Sequence, residues 1–94
     1  MKISQESAET LALQCLGWLA GNEELLPVFL GSTGASATDL RERAQDPEFL
    51  GSLLDFVMLN DAWIIAFCEA NSIPFENFKQ ARAALPGGEQ MNWT

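Results

Sequence analysis

The chain has 94 residues, of which 48% are hydrophobic and 19% charged, a balance typical of a folded globular domain and not of a disordered chain. Its formal net charge of −8 repels phosphate backbones and anionic lipids, so we expect neither nucleic acid nor a membrane as a partner. With no histidine and only two cysteines, the chain has no disulfide scaffold and too few ligands for a zinc site.

Helix-start and helix-stop residues predict the first two helices. Ser4 is a good N-cap for the first helix, and Gly21 is the expected stop. Asn22 then caps a second helix. Pro27 has no N–H to give to a helical hydrogen bond, so this helix must start late, near Glu24, or bend at the proline.

A third, short helix follows the glycine that ends the second. Gly34 is the predicted stop, and Ser36 with Asp39 has the spacing of a capping box, in which each residue satisfies the backbone of the other. The helix that they begin is predicted around residues 40–44.

The second half of the chain predicts three more helices. Asp46–Glu48 is a strong start signal, because an aspartate cap is followed by a proline at the first helical position. That helix should run to about Leu59, and Asn60 should cap a fifth; one long, kinked helix is the alternative. Pro74 opens a sixth helix that ends near Leu85.

These elements predict an all-α fold, a compact bundle of five or six short helices. Residues 1–88 should form a single helical domain, and residues 89–94 a loose C-terminal tail.

The two halves of the chain resemble each other. The shift that aligns Asn22 with Asn60 also aligns Phe29 with Phe67, which suggests two pseudo-repeated three-helix units. We call this offset the repeat shift. The other explanation for the resemblance between the two halves is the periodicity that amphipathic helices have in common. The second unit is the more apolar, so its first two helices, the fourth and fifth of the chain, should be central.

The most apolar stretch, residues 53–70, is not a membrane-spanning segment, because Asp55, Asp61 and Glu69 interrupt it. The N-terminal region lacks the pattern of a signal peptide, since its apolar part is broken by Gln14 and Gly17. We therefore expect a buried core helix and a cytoplasmic protein.

Candidate reactive residues are few, and each has a structural explanation. Cys15 and Cys68 occupy leucine positions of the repeat and should be inert core thiols. Asp55 and Asp61 are the candidates for acid–base catalysis, but helix caps or surface charges are the expected roles. Ser52 resembles the modified serine of carrier proteins, yet it lies inside a helix. We predict no catalytic residue, no metal site and no cofactor.

One motif offers a DNA-binding function. The turn at Gly34 followed by a short helix resembles a helix-turn-helix, in which Thr38, Arg41 and Arg43 would contact DNA. Glu42 on the same helix and the net charge argue against this alternative.

The leading prediction is a small cytoplasmic protein-interaction or regulatory module without catalytic activity. Tryptophan is enriched at interface hot spots, so Trp63, beside capping residues, and Trp93, in the tail, are the candidate interface residues, whereas Trp18 should be buried in the core. The partner is expected to be a protein, and a homo-oligomer is consistent with this prediction. An enzyme or a carrier protein is the third alternative.

The chain also resembles a bacterial family of domains of unknown function, the one numbered 3572, found mainly in alphaproteobacteria. The matching stretches are Ala8-Glu9, Leu11 to Leu13, Gly17-Trp18-Leu19-Ala20, Phe29-Leu30, Thr33-Gly34, Asp39-Leu40-Arg41, Asp46-Pro47, Phe49-Leu50, Leu54-Asp55-Phe56, Phe67-Cys68 and Leu85-Pro86-Gly87-Gly88. Asn60-Asp61 departs from the acidic pair expected there. The resemblance implies a compact helical domain in a bacterial cytoplasm, and it brings neither an activity nor a functional residue.

Overall fold

The computed structural model describes residues 4–34 and 36–85, and these ranges contain α-helices and no strand. The helices are α1 (Gln5–Ala20), α2 (Leu25–Thr33), α3 (Ala37–Arg43), α4 (Pro47–Val57), α5 (Asp61–Asn71) and α6 (Phe75–Ala84). The prediction of an all-α bundle of five or six short helices is confirmed. The predicted tail, residues 89–94, lies outside the described residues.

Helix α2 starts late, as its proline requires. The side-chain oxygen of Asn22 accepts hydrogen bonds from the backbone N–H groups of Glu24 and Leu25, both at 3.0 Å. The helix begins at Leu25, which places Pro27 in the first turn, where no helical hydrogen bond is lost. Gly21 ends α1 as predicted, although its φ of −87° is not the left-handed conformation of a C′ glycine.

The helices α3 and α4 begin at the predicted caps. Ser36 and Asp39 form both hydrogen bonds of the capping box at the start of α3. The Asp46 carboxylate accepts from the backbone N–H of Glu48 at 3.0 Å and begins α4. Local side-chain bonds therefore determine both helix starts.

The apolar stretch of the second half is two helices and not one kinked helix. The axes of α4 and α5 meet at 112°, and the side chain of Asn60 caps α5 by accepting from the N–H of Ala62 at 2.9 Å. In the described residues no individual helix has the length and apolarity to cross a membrane, and only this bent pair, taken together, meets that criterion.

The repeat shift also relates the local structure of the two halves. The two described residues with positive φ are Gly34 at 74° and Ser72 at 55°, and the shift takes one to the other. It also relates Thr33 to Asn71, whose side chains each donate to the carbonyl four residues earlier, at 3.0 and 3.1 Å. The two halves, α1 to α3 and α4 to α6, therefore share an asparagine cap and a left-handed turn, whereas the capping box of Ser36 has no counterpart at Pro74. We call the two halves the first and the second unit.

The core is formed mainly by α1, α4 and α6. Helix α1 packs chiefly against α6 and α4, whereas α3 packs only weakly against the rest. The prediction that α4 is central is confirmed, since seven of its residues are buried. The same prediction is wrong for α5, which buries only Ile64, Phe67 and Cys68, because the other apolar side of this helix, including Ile65, faces solvent. Helix α1 takes the central place instead.

Candidate functional site

An ion pair joins α4 to α6 in the second unit. Two nitrogens of the Arg82 guanidinium donate to the two carboxylate oxygens of Asp55, at 2.5 and 2.8 Å, and Arg82 is only 7% exposed. A third nitrogen donates to the carbonyl of Leu85 at 3.5 Å. Asp55, a candidate for acid–base catalysis, thus has a structural partner that satisfies both of its oxygens.

The equivalent residues of the first unit leave an open space. The repeat shift relates Asp55 to Gly17 and Arg82 to Ala44, and neither of these small residues has a side chain that could form such a pair. Both residues line a groove of about 510 Å³ between α1, α2 and α3. The remaining lining residues are Leu13, Leu16, Ala20, Leu26, Leu40 and Arg41.

The groove is mostly apolar because leucines of all three helices contribute to it. Leu16 and Leu40 are buried at its base, Leu26 is partly buried, and Leu13 is 46% exposed. A concave, mostly apolar surface with one charged residue is the kind of place where proteins bind other molecules, whereas a single exposed leucine is ordinary.

Gly17 lies in the last turn of α1 and faces open space. A Cβ atom built at this position would have no other heavy atom within 4 Å, apart from its own neighbours and helix backbone. In the middle of a helix glycine costs about 0.5–1 kcal/mol relative to alanine, and the space around Gly17 could hold a side chain, as it could around Gly31 in α2. A glycine at the edge of the groove does allow another chain to approach the backbone of α1 closely.

Arg41 is the one charged side chain in the lining of the groove. The other described basic side chains are engaged elsewhere: Arg43 and Lys79 each lie over a phenylalanine ring, at 5.9 and 5.3 Å from its centre, and Arg82 is paired. Arg41 is exposed, so its guanidinium remains available to a carboxylate of another molecule.

The three residues proposed for DNA contact are exposed but do not share one face. Thr38, Arg41 and Arg43 all lie on α3. At about 100° per residue, Arg41 and Arg43 point about 160° apart around the helix. The structure therefore does not gather the two arginines into a basic surface, and DNA contact stays a prediction.

The tryptophans have different surroundings. Trp63 is partly buried and stacks on Phe56 with ring centres 5.2 Å apart. Trp18, which we expected in the core, is also only partly buried, because it packs edge-on against Phe67 at the border of the core. Trp93 lies outside the described residues.

Asp61 and Ser52 have the surroundings that a structural role requires. Asp61 is exposed in the first turn of α5, where its charge is favourable to the helix dipole. Ser52 is exposed within α4 and donates to the carbonyl of Phe49 at 2.8 Å, so it does not stand at a helix start.

Both thiols are buried and unpaired. Burial raises the pKa of Cys15 to about 12, with a smaller contribution from Cys68, and burial also raises the pKa of Cys68. A thiol is a nucleophile only as the thiolate, so these surroundings favour packing over reactivity. In residues 4–34 and 36–85 no cluster of three or more histidine, cysteine or acidic residues is placed to hold a metal ion.

The groove itself was missed by the analysis of the sequence. In the sequence Gly17 stands as an interruption of an apolar stretch and in one of the stretches of the family resemblance, and Ala44 as the predicted end of a helix; neither role indicates a binding site. The repeat does indicate this difference between the halves, because the repeat shift aligns Gly17 with Asp55 and Ala44 with Arg82. Two small residues of the first half thus align with two charged residues of the second.

Comparison with known proteins places the chain in a family without an assigned activity. No curated protein and no solved structure matches the chain. The model of a family described as "protein of unknown function (DUF3572)" matches residues 5–88, which is most of the chain. The chain therefore belongs to the DUF3572 family.

Proposed function

We propose that this protein is a small, non-catalytic protein-interaction or regulatory module that binds its partner in the groove between α1, α2 and α3. The observation that carries the proposal is the open groove at Gly17 and Ala44, where the second unit has its ion pair. The apolar lining favours binding over chemistry, because desolvated leucines supply affinity but no acid, base or nucleophile.

The proposal includes a single domain in the cytoplasm of a bacterium. Two free thiols support a reducing compartment, in which unpaired cysteines persist. Trp63 belongs to the proposal only as a secondary contact, since stacking on Phe56 already covers one face of its ring.

A comparison of two surface variants tests the site. Leu13 in the groove and Ile65 on α5 are both 46% exposed, so Leu13→Glu and Ile65→Glu should disturb the fold equally little. The tagged chain and both variants are used to capture partners from cells of the host, with and without nuclease, and the captured proteins are compared by mass spectrometry.

We expect a protein that survives nuclease and is captured by the wild type and by Ile65→Glu but not by Leu13→Glu. Equal capture by all three forms would show that the groove is not the binding site. Partners that disappear on nuclease treatment would instead favour the DNA-binding alternative.

A further inference from the structure

The groove contains a positively charged side chain, although most charged residues of this protein are acidic. The whole chain has 13 acidic and five basic residues, and the described basic residues are Arg41, Arg43, Lys79 and Arg82. All of these except Arg41 have a described aromatic or acidic contact. The cation left for another molecule thus lies in the wall of an apolar groove.

In the second unit an ion pair lies at the positions equivalent to Gly17 and Ala44. There, Asp55 on α4 supplies a carboxylate to a guanidinium on α6, and the long side chain of Arg82 is buried. In the first unit both partners of this pair are replaced by small residues, Gly17 and Ala44, and the cation of the groove is Arg41, which the repeat shift relates to Lys79 and not to Arg82. The groove therefore combines an apolar space beside two small residues with one arginine, and none of its lining residues is acidic.

We infer that the groove binds a segment of a partner protein that presents one large apolar side chain and, within a helical turn of it, one carboxylate. The apolar side chain covers Leu13, Leu16 and Leu26, and the carboxylate pairs with the guanidinium of Arg41. A carboxylate that pairs with arginine forms strong, directional hydrogen bonds, so it orients the segment as well as holding it. This inference rests on the proposed function and adds the chemistry of the partner.

A random dodecapeptide pool displayed on phage is the first probe. The pool is selected on the wild-type protein after depletion on Leu13→Glu, which removes peptides that bind other surfaces. We expect enrichment of peptides in which aspartate or glutamate lies within four positions of leucine, phenylalanine or tryptophan. Enrichment of lysine or arginine, or no enrichment above the unselected pool, would overturn the inference.

The affinity for the most enriched peptide, labelled with a fluorophore, is then measured by fluorescence anisotropy to test the role of Arg41. Arg43 is the matched control, because it is also an exposed arginine on α3 but points away from Arg41. We expect Arg41→Glu to weaken binding at least tenfold and Arg43→Glu to leave it within twofold. Circular dichroism establishes that both variants fold.

The outcomes separate this inference from the proposed function. A peptide or host partner whose binding is lost in Leu13→Glu but unchanged in Arg41→Glu contradicts the acidic segment and leaves the groove as the binding site. Capture that is the same for Leu13→Glu and the wild type contradicts the groove itself. A self-associated wild-type protein that dissociates on Leu13→Glu would identify a second copy as the occupant and overturn the inference.

Discussion

At the scale of single residues, the pair Gly17 and Ala44 distinguishes the first unit from the second. In the second unit the corresponding residues, Asp55 and Arg82, form a bidentate ion pair between α4 and α6. Two small residues leave the corresponding surface of the first unit open. Equivalent positions of the two units therefore hold an ion pair in one unit and two small groove-lining residues in the other.

The buried thiol of Cys15 gives a prediction for alkaline pH. Its pKa rises from an ordinary 9.0 to about 12 in the folded protein, so between these values the unfolded chain binds fewer protons than the folded chain. The free energy of unfolding should therefore fall as pH rises above about 9, by about 1.4 kcal/mol per pH unit at most. Urea unfolding at pH 8 and at pH 10.5 measures this loss of stability.

Cys15→Val is the control, because valine fills a similar volume and does not ionise. The chain has no tyrosine, and Cys68, whose pKa burial also raises, remains in both proteins, so the difference between them reports on Cys15. A Cys15→Val variant that loses as much stability at pH 10.5 as the wild type would show that ionisation of Cys15 is not the cause.

At the scale of helices, local signals determine where each element begins and ends. The starts of α3 and α4 were predicted from residues within a few positions of one another, because the Ser36–Asp39 box and the Asp46 cap are local bonds. The late start of α2 was predicted from Pro27 for the same reason.

Packing was predicted less well, because it depends on distant residues. Helix α5 is as apolar as a core helix, but the sequence does not indicate which of its apolar sides meets the bundle, and Ile65 faces solvent. The groove was not predicted because Gly17 and Ala44 are far apart in the sequence and come together only through the packing of α1 and α3.

The repeated turns predict opposite effects for two substitutions at equivalent positions of the two units. Gly34 and Ser72 both have left-handed backbone conformations after their helices, and serine lacks the freedom of glycine there. Gly34→Ser should destabilise the protein by about 1 kcal/mol, and Ser72→Gly should stabilise it by a similar or smaller amount. Thermal unfolding of both variants measures the difference. Equal and same-signed shifts would contradict the equivalence of the two turns.

At the scale of the whole molecule, the two units contribute differently. The core is formed by α1, α4 and α6, while α3 packs weakly and forms one wall of the groove. The second unit thus supplies an ion pair between α4 and α6, and the first supplies the groove between α1, α2 and α3. This division of roles is the basis of the proposed interaction module.

The most direct test of this account transfers the Asp55–Arg82 ion pair from the second unit to the first. The double variant Gly17→Asp with Ala44→Arg places the two charged residues at the positions that the repeat shift relates to Asp55 and Arg82, and a Cβ on Gly17 meets open space. We predict that it folds and unfolds at a temperature no lower than the wild type, and that it binds the captured partner at least tenfold more weakly. A folded double variant with wild-type affinity for that partner would contradict the claim that the groove is the binding site.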